Sequence, residues 1–390
     1  MPAQAAHAKV RIAAHGVLYW FVAPAFADAP SLANSGQAAQ GCRPMTATDP
    51  HIKCEKRGAL GLLTLDRPAA LNALTHGMIN ALAAALARWR QDDGVKAVAI
   101  QGSGDRAFCA GGDIRAVQQA VVAGTDEGAR LLRDEYHLNA LIGSYPKPYV
   151  ALLHGITMGG GAGVSVHGRY RLADAGLNFA MPETAIGFIP DVGSSHFLSR
   201  CPGELGLYLA LTGARIGLGD AMDAGLVTHA VNREDFEPVL EGLARGEAPA
   251  AAIKPVARKA PAGSLAAHRR RIETIFSAAS VEAILERLDR DGSDFARETA
   301  QTIRTRSPTS LKLVYRQMRA AAHLDLKQCL AMEYRLALRV LSGHDFHEGV
   351  RAALVDKDRN PKWQPAALAG VGNLDDFFAP LVEKELFGFS

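Results

Sequence analysis

Hydrophobic and polar residues follow two different periods along this chain. Leu60 to Leu65 is a short apolar run with the length of a buried strand, and the runs Val95 to Gln101 and Tyr149 to His154 are similar. From Thr75 to Trp89, apolar residues recur every three or four positions, which predicts an amphipathic helix. Its predicted buried stripe comprises Met78, Ile79, Leu82, Leu86 and Trp89. Strands that alternate with helices indicate an α/β fold with crossover connections.

Further helices are predicted before and after position 231. Ile114 to Val122, Ala129 to Ile142 and Ala162 to His167 come before it, the last entered through glycines. After position 231 the pattern becomes almost entirely helical, and Ser307 precedes a proline as a helix start signal. The clearest later helices are Ile272 to Phe276, Val281 to Leu288, Phe295 to Arg304, Ser310 to Ala320 and Glu333 to Leu341. The chain is therefore divided into a segment 1–52, a core 53–231 and a helical C-terminal region 232–390.

Composition narrows the class of protein. Of the 390 residues, 48% are hydrophobic and 21% charged, which is typical of a soluble globular protein. The 43 Lys and Arg against 40 Asp and Glu leave a net charge of +3, too small an excess to predict nucleic acid as a partner. No apolar run reaches the roughly 18 residues of a membrane span. The 5 cysteines are scattered and odd in number, which argues against a disulfide framework or zinc cluster and favours a reducing compartment.

The first 52 residues have three interpretations. Lys9 and Arg11 precede an apolar stretch from Ile12 to Phe26, and Ala27-Asp28-Ala29 is similar to a cleavage site, so a secretory signal is one of them. The segment is poor in acidic residues, as a transit peptide is. A disordered extension from an early start codon is the interpretation we favour, because residues 31–50 show no periodicity.

Glycine-rich turns follow three of the predicted strands. The turn from Gly102 to Ala107 fits a loose dinucleotide fingerprint, but glycines soon after it would break the required helix, so we favour an ordinary turn. Ala110-Gly111-Gly112-Asp113 precedes a helix, where free N–H groups can bind an oxyanion and Asp113 can act as the helix cap. His154 to Gly163 has four glycines in five residues without the Lys of a phosphate loop, which indicates a ligand or close helix packing. Two such loops suit an oxyanion hole.

Two carboxylates are candidates for the accompanying chemistry. Glu183 and Asp191 lie in an apolar segment with prolines, where burial would make them useful bases or nucleophiles, although each could instead cap a helix. The sequence Gly163-Val164-Ser165-Val166-His167 departs from a serine-hydrolase elbow. His344 and His347 form the densest group of metal ligands, but lack a third ligand motif, so we expect a polar helix start there and no metal.

Taken in order, the segments Phe108 to Asp113, Gly155 to Gly161, Pro182-Glu183 and Ile189-Pro190 resemble the crotonase (enoyl-CoA hydratase/isomerase) superfamily. The resemblance implies a spiral of ββα turns with a helical C-terminal region, acyl-CoA thioester as the substrate, and an oxyanion hole formed by the backbone N–H groups of Gly112 and Gly160. Family hydratases carry a second glutamate at the position of Gly163, so the resemblance makes hydration doubtful.

The 3-hydroxyisobutyryl-CoA hydrolase subgroup is the most similar part of that superfamily. The segments that carry this resemblance span about Lys53 to Trp363, and include Arg133 to Tyr136, Met181 to Gly187, Pro190 to Gly193, Met332 to Arg335 and His344 to Ala352. Residue by residue, it implies that Glu135, Gly160, Glu183 and Asp191 lie at the substrate. Ser194 and Ser195 depart from the glycines that are common there.

This second resemblance implies hydrolysis of a short branched 3-hydroxyacyl-CoA thioester in valine catabolism, with no cofactor, in the cytoplasm or, in a eukaryote, the mitochondrial matrix. An enoyl-CoA isomerase or hydratase and a non-catalytic CoA-binding protein remain alternatives. Relatives commonly form trimers, and because the stretch 232–307 could obstruct that packing, a homo-oligomer stays open.

Overall fold

The computed structural model describes residues 48–382 and 385–388. All three interpretations of the N-terminal segment concern mainly residues 1–47, which lie outside these ranges. The nine described strands are β1 Ile52–Arg57, β2 Leu60–Leu65, β3 Ala97–Gly102, β4 Ala107–Cys109, β5 Tyr149–Leu153, β6 Ile156–Met158, β7 Tyr170–Ala173, β8 Asn178–Ala180 and β9 His229–Ala230.

Sixteen α-helices are described in the same residues. Those up to position 231 are α1 His76–Gln91, α2 Ile114–Val122, α3 Glu127–Gly143, α4 Gly160–Gly163, α5 Ser194–Leu198, α6 Leu205–Thr212 and α7 Leu218–Asp223. The C-terminal ones are α8 Phe236–Ala244, α9 Pro249–Ile253, α10 Arg269–Phe276, α11 Val281–Asp291, α12 Asp294–Arg304, α13 Pro308–Ala321, α14 Leu326–Leu341, α15 His344–Val350 and α16 Asp375–Phe378. The predicted α/β core with a helical C-terminal region is confirmed.

The chain forms two sheets through a repeated pair of strands. The larger has the order β1-β2-β3-β5-β7-β9 and is parallel apart from the β1–β2 pair, while the smaller is the parallel sheet β4-β6-β8. Each of the pairs β3–β4, β5–β6 and β7–β8 sends its first strand to the large sheet and its second to the small one. Helices connect successive pairs, so the chain winds as the expected spiral of ββα turns.

The large sheet is buried on both faces. Leu63 and Val98 belong to a core that contains α1, whereas their neighbours Leu62 and Ala99 point to the other face and pack with α8. Side chains of a strand alternate between faces, so a strand covered on both faces is expected to be almost entirely apolar, and Leu60–Leu65 has Thr64 as its one polar residue. All five residues of the predicted α1 stripe are buried.

The C-terminal helices pack onto the core that contains the small sheet. Their apolar side chains, for example Leu313 of α13 and Leu336 of α14, belong to the same hydrophobic cluster as Phe108 and Phe179. Ser307 caps α13 by accepting a hydrogen bond from the Ser310 amide at 3.1 Å, as its position before a proline predicts. Among the described residues, no helix has both the length and the apolar character to cross a bilayer.

One predicted helix is wrong. Ala162 to His167 was expected to be helical, but α4 spans Gly160–Gly163 and the chain then continues as turns. The Ser165 hydroxyl donates to the carbonyl oxygens of Gly161 and Ala162, at 2.7 and 3.2 Å, so it competes for acceptors that a longer helix would use. The helix can begin earlier because Gly159 has φ +49° and turns the chain directly after β6. The turn predicted after Gly102 is confirmed.

Candidate active site

Three loops that carry candidate site residues meet at one edge of the small sheet. β4, β6 and β8 are parallel neighbours, so their carboxyl ends lie side by side. The loop after β4 carries Gly112, the loop after β6 carries Gly160, and the loop after β8 carries Glu183. Parallel pairing therefore brings together residues that are far apart in sequence, in the position where open α/β sheets bind ligands.

The backbone amides of Gly112 and Gly160 face the same space. A Cβ atom built on Gly160 would lie 3.3 Å from the Gly112 nitrogen, and one built on Gly111 would lie 3.8 Å from the Gly160 nitrogen. Neither amide donates a backbone hydrogen bond in the loops and turns of residues 48–382. A Cβ on Gly112 would meet no atom within 4 Å, so this glycine borders open space. Two free N–H groups next to a cavity can stabilise an oxyanion.

Asp113 caps a helix, which is the alternative role that the sequence predicted for it. Its carboxylate accepts a hydrogen bond from the Ala116 amide, which caps α2, and pairs with Arg67 at 3.3 Å. The cap and the free Gly112 amide coexist, because Asp113 holds the start of the helix while the preceding glycine leaves its N–H toward the cavity. The predicted cap is confirmed, and oxyanion binding by the Gly112 amide stays a prediction.

Glu183 is a buried carboxyl group at the edge of the cavity. It is 7% exposed, and its Oε2 atom has no hydrogen-bond partner. A Cβ on Gly159 would lie 3.2 Å from Glu183 Oε1, so the carboxyl group lies against the glycine turn that carries the Gly160 amide. Glu183 begins the short 3₁₀ helix Glu183–Ile186, but its side chain caps no helix. An unpartnered buried carboxyl oxygen beside two free amides is suited to proton transfer or attack on a carbonyl.

Asp191 is the second buried carboxyl group, with 6% exposure. Tyr136 lies in helix α3, and its hydroxyl donates a hydrogen bond to Asp191 Oδ2 at 2.6 Å. Asp191 caps no helix with its side chain, because α5 begins after Gly193 without a side-chain cap. Tyr136 instead fixes the orientation of the carboxyl group.

Glu135, the residue before Tyr136, is the third buried carboxyl group of the site. It is 3% exposed, its Oε1 atom has no hydrogen-bond partner, and a Cβ on Gly160 would lie 2.5 Å from that atom. The cavity of about 60 Å³ is therefore lined by every residue that the resemblance placed at the substrate, namely Gly112, Glu135, Gly160, Glu183 and Asp191. Apolar residues, among them Val117, Leu131, Ile186 and Phe188, line the rest. A space of this size holds a few water-sized groups and so fits a short acyl chain.

Burial raises the pKa values of all three carboxyl groups, and the charge of Asp191 adds to this effect at Glu135 and Glu183. Loss of solvation, with the negative charge of Asp191 second, raises the pKa of Glu135 to about 8. The same two causes, in that order, raise the pKa of Glu183 well above its usual range. Burial raises the pKa of Asp191 to about 7, against the hydrogen bond from Tyr136, which lowers it. The site thus holds carboxyl groups that can exchange protons near neutral pH.

The space in which family hydratases hold their second glutamate is filled. A Cβ on Gly163 would lie 2.7 Å from Val192 Cβ and 2.9 Å from Asn139 Nδ2. No side chain fits there without a shift of α3 or of the segment after Asp191. The site therefore has carboxyl groups at Glu135, Glu183 and Asp191 but none at the position of Gly163.

Two residues with a place in this site were not assigned a role from the sequence. Tyr136 bonds Asp191, and Glu333 of α14 accepts hydrogen bonds from the segment that follows Asp191. Glu333 has a detectable signal, because it is the only acidic residue of α14 and lies between Leu330 and Leu336 on an apolar stripe. At the other predicted cluster, His344 begins helix α15, which confirms the expected polar helix start.

Comparison with known proteins decides the family. A profile described as Enoyl-CoA hydratase/isomerase matches residues 60–377. The chain belongs to this family. It is 46% identical to the mitochondrial 3-hydroxyisobutyryl-CoA hydrolase of Xenopus tropicalis over 353 residues, which cover 87% of this chain and 92% of that one. Identity to the human protein of the same name is also 46%, over 86% of this chain and 90% of that one.

Solved structures of the family have the same fold under other names. A carnitinyl-CoA dehydratase from Mycobacterium thermoresistibile superposes with a TM-score of 0.83 at 41% identity, covering 88% of this chain and 100% of that one. An enoyl-CoA hydratase from Rhodobacter sphaeroides 2.4.1 gives 0.81 at 38% identity, covering 85% and 98%. The crotonase-type fold expected from the sequence is confirmed, whereas the relatives differ in the reaction that their names state.

Proposed function

We propose that this chain is a 3-hydroxyisobutyryl-CoA hydrolase, which converts 3-hydroxyisobutyryl-CoA and water to 3-hydroxyisobutyrate and CoA in valine breakdown. The observation that carries the proposal is that two free amides lie beside Glu183, a buried carboxyl group with an unpartnered oxygen, in a site where the position of Gly163 has no room for another glutamate. The curated hydrolases at 46% identity over most of both chains support the same assignment.

In the proposed mechanism the thioester carbonyl oxygen accepts hydrogen bonds from the Gly112 and Gly160 amides. These fixed donors stabilise the negative charge that develops when the carbonyl carbon is attacked, each by about 3 kcal/mol in comparable sites. Glu183, ionised, either attacks that carbon or takes a proton from the attacking water. The C–S bond then breaks, and the CoA sulfur leaves as a thiolate that takes up a proton. If water was the attacking group, the acyl group is released as a carboxylate in the same step. If Glu183 attacked, the acyl group stays bound to Glu183 as an anhydride, which a water molecule hydrolyses to release the carboxylate and restore Glu183.

Asp191 and Glu135 would act on the rest of the acyl group. Both line the cavity together with Glu183, and their raised pKa values let each exist in the protonated and the ionised form near pH 7. We propose that Asp191 orients the substrate hydroxyl group or transfers a proton, and that Glu135 contacts the same part of the substrate. The reaction as written needs water and these side chains, and no cofactor or metal enters a step.

The substrate also bears on where the enzyme works. Acyl-CoA thioesters are made and consumed inside cells, and the relatives named above are described as mitochondrial. We propose a cytoplasmic enzyme, or one of the mitochondrial matrix in a eukaryote.

A second function is favoured by the names of the solved relatives, a dehydratase and a hydratase. Those reactions add or remove water at a double bond and release no thiol. The filled space at Gly163 argues against a hydratase with two glutamates, whereas an isomerase would need only one carboxyl group and the same oxyanion hole. A non-catalytic CoA-binding protein would not need the unpartnered Glu183 oxygen.

Thiol release separates these alternatives directly. With 3-hydroxyisobutyryl-CoA, 3-hydroxypropionyl-CoA, isobutyryl-CoA and crotonyl-CoA as substrates, we expect the 3-hydroxyacyl thioesters to release free CoA at kcat/KM at least tenfold above the other two. The measurement is the absorbance of a thiol reagent, with double-bond absorbance followed in parallel. Loss or gain of the double bond without free thiol would contradict the hydrolase and support the hydratase or isomerase.

Tyr136→Phe is expected to move the pH dependence of hydrolysis. The hydrogen bond from Tyr136 lowers the pKa of Asp191, so its removal raises that pKa further. If ionised Asp191 is required, the acid limb of the kcat profile moves to higher pH, and the rate at pH 6 falls several-fold while the rate at pH 9 changes less. The control is Tyr315→Phe, which deletes a hydroxyl that donates to the Ala278 carbonyl and belongs to a residue outside the cavity lining. An unmoved acid limb would show that Asp191 does not act in its ionised form.

A further inference from the structure

The segment from Pro190 to Ser195 holds Asp191 in a strained conformation. Val192 has φ +54° and Gly193 has φ +80°, two consecutive left-handed residues, of which Val192 is β-branched. A β-branched residue with positive φ is a genuine outlier, and such strain persists only where the surroundings impose it. A Cβ on Gly193 would lie 2.6 Å from His167 Cε1, so the turn is also closely packed.

Side chains from four parts of the chain impose this conformation. Gln317 of α13 donates to the Pro190 carbonyl at 2.7 Å, and His167 is hydrogen-bonded through Nε2 to the Val192 carbonyl at 2.8 Å. Burial lowers the pKa of His167 to about 4, so the ring is neutral and can donate through that nitrogen. Together with Tyr136 on the Asp191 carboxyl group, three bonds hold the first half of the segment.

The second half is held by one side chain. Glu333 of α14 is fully buried, and its two carboxyl oxygens accept three hydrogen bonds: Oε2 from the Gly193 amide at 2.6 Å, and Oε1 from the Ser195 amide at 2.8 Å and the Ser195 hydroxyl at 2.6 Å. A carboxylate is the group that can accept from all three donors at once. Glu333 is not among the residues that line the cavity.

We propose that Glu333 is a positioning residue for the proposed hydrolase reaction, which fixes Asp191 in the site by binding the backbone of Gly193 and the backbone and hydroxyl group of Ser195. Helix α14 of the C-terminal region thereby supports the active site through its contacts with the segment from Pro190 to Ser195. Ser195, at a position where the resembled subgroup often has glycine, then has a physical use, because its hydroxyl supplies one of the three donors. This inference rests on the proposed function for its kinetic effect, but its structural content can be tested separately.

Glu333→Gln is the decisive variant because it keeps the size of the side chain. The glutamine amide group can accept through one position only, so either the Gly193 or the Ser195 amide loses its acceptor and faces an NH₂ group. We expect kcat with 3-hydroxyisobutyryl-CoA to fall roughly 10- to 100-fold, as a displacement of about 1 Å in a reacting group can cost. We expect KM to change less than threefold, because Glu333 does not line the cavity. Ser195→Ala removes one of the three hydrogen bonds, and its kcat should lie between the kcat of the unchanged protein and that of Glu333→Gln.

A matched control is Glu282→Gln, which removes an acidic group of α11 that pairs with Lys312 at 2.8 Å on the partly exposed side of the C-terminal helices. It should leave kcat and KM within twofold of the unchanged protein. A Glu333→Gln protein whose kcat equals that of the unchanged protein would overturn the proposal. So would a parallel rise in KM and loss of thermal stability, because these indicate a merely structural role.

Hydrogen exchange measures the same contact without any substrate. Peptides that contain Gly193 and Ser195 should exchange their amides faster in Glu333→Gln than in the unchanged protein, while peptides from β2 and α1 should not change. Unchanged exchange over 190–198 would overturn the proposal. If the unchanged protein released no thiol from any substrate tested, the proposed function would fail, and the exchange data would still decide whether Glu333 holds the segment.

Discussion

Glu183→Gln is expected to reduce hydrolysis of 3-hydroxyisobutyryl-CoA by about 10³-fold or more, with substrate binding largely retained. The amide is nearly the same size as the carboxyl group but can neither take a proton from water nor attack a carbonyl, and these steps contribute about 10²- to 10⁴-fold in comparable enzymes. Binding is retained because the Gly112 and Gly160 amides and the apolar wall are untouched. Steady-state thiol release gives kcat, and calorimetry with intact substrate gives the dissociation constant.

The variant is expected to be more stable than the unchanged protein at neutral and alkaline pH. Burial raises the pKa of Glu183 well above its usual range, with the charge of Asp191 as the second cause, so ionised Glu183 destabilises the native state relative to the unfolded chain. The neutral amide removes that penalty. Exposed Glu286 of α11 offers a matched change, Glu286→Gln, that should alter neither activity nor pH dependence. Full activity in Glu183→Gln would remove the proposed role of Glu183 and require another catalytic group.

Local patterns predicted the parts of the fold that depend on neighbours in sequence. The bounds predicted for Leu60–Leu65 and Ile114–Val122 agree with β2 and α2, because burial on both faces or on one stripe leaves a direct record in hydrophobic spacing. The helix expected at Ala162 to His167 failed where glycines and the Ser165 hydroxyl decide the backbone, and hydrophobic spacing carries no information about either. The division into a core 53–231 and a C-terminal region 232–390 stays a prediction.

The site was predictable in its residue types but not in its assembly. Acidic residues in apolar surroundings identified Glu183 and Asp191 as candidates, and glycine-rich segments within which the family resemblance singled out Gly112 and Gly160 indicated the oxyanion hole. The pairing of β4 with β6 and β8 that brings their loops together cannot be read from spacing. The contact between Ser195 and Glu333 joins residues 138 positions apart. The only sign of such a long-range hydrogen bond in the sequence is an acidic residue on the apolar stripe of a helix.

The second large effect is expected from Gly160→Ala, which tests the oxyanion hole. A Cβ on Gly160 would lie 2.5 Å from Glu135 Oε1 and 3.3 Å from the Gly112 nitrogen, so the methyl group would enter the space between the two amides. Glu135 has to move, and the carbonyl oxygen of the thioester is kept from its donors. Loss of one donor of such a hole costs about 10²- to 10³-fold in kcat, so we expect a loss of at least that size.

The same substitution should not destabilise the fold to a comparable extent. Gly160 begins helix α4 and is not among the glycines with positive φ, so alanine fits its backbone conformation and restricts the unfolded chain more than glycine does. The atom that it meets first is the end of a side chain, which can rotate away. Thermal unfolding should therefore shift by only a few degrees, and Gly372→Ala, whose Cβ would meet no atom within 4 Å, provides the control for an alanine elsewhere. If Gly160→Ala hydrolysed its substrate at the rate of the unchanged protein, the Gly160 amide could not be the group that stabilises the oxyanion, and the cavity would have to bind the thioester in another orientation.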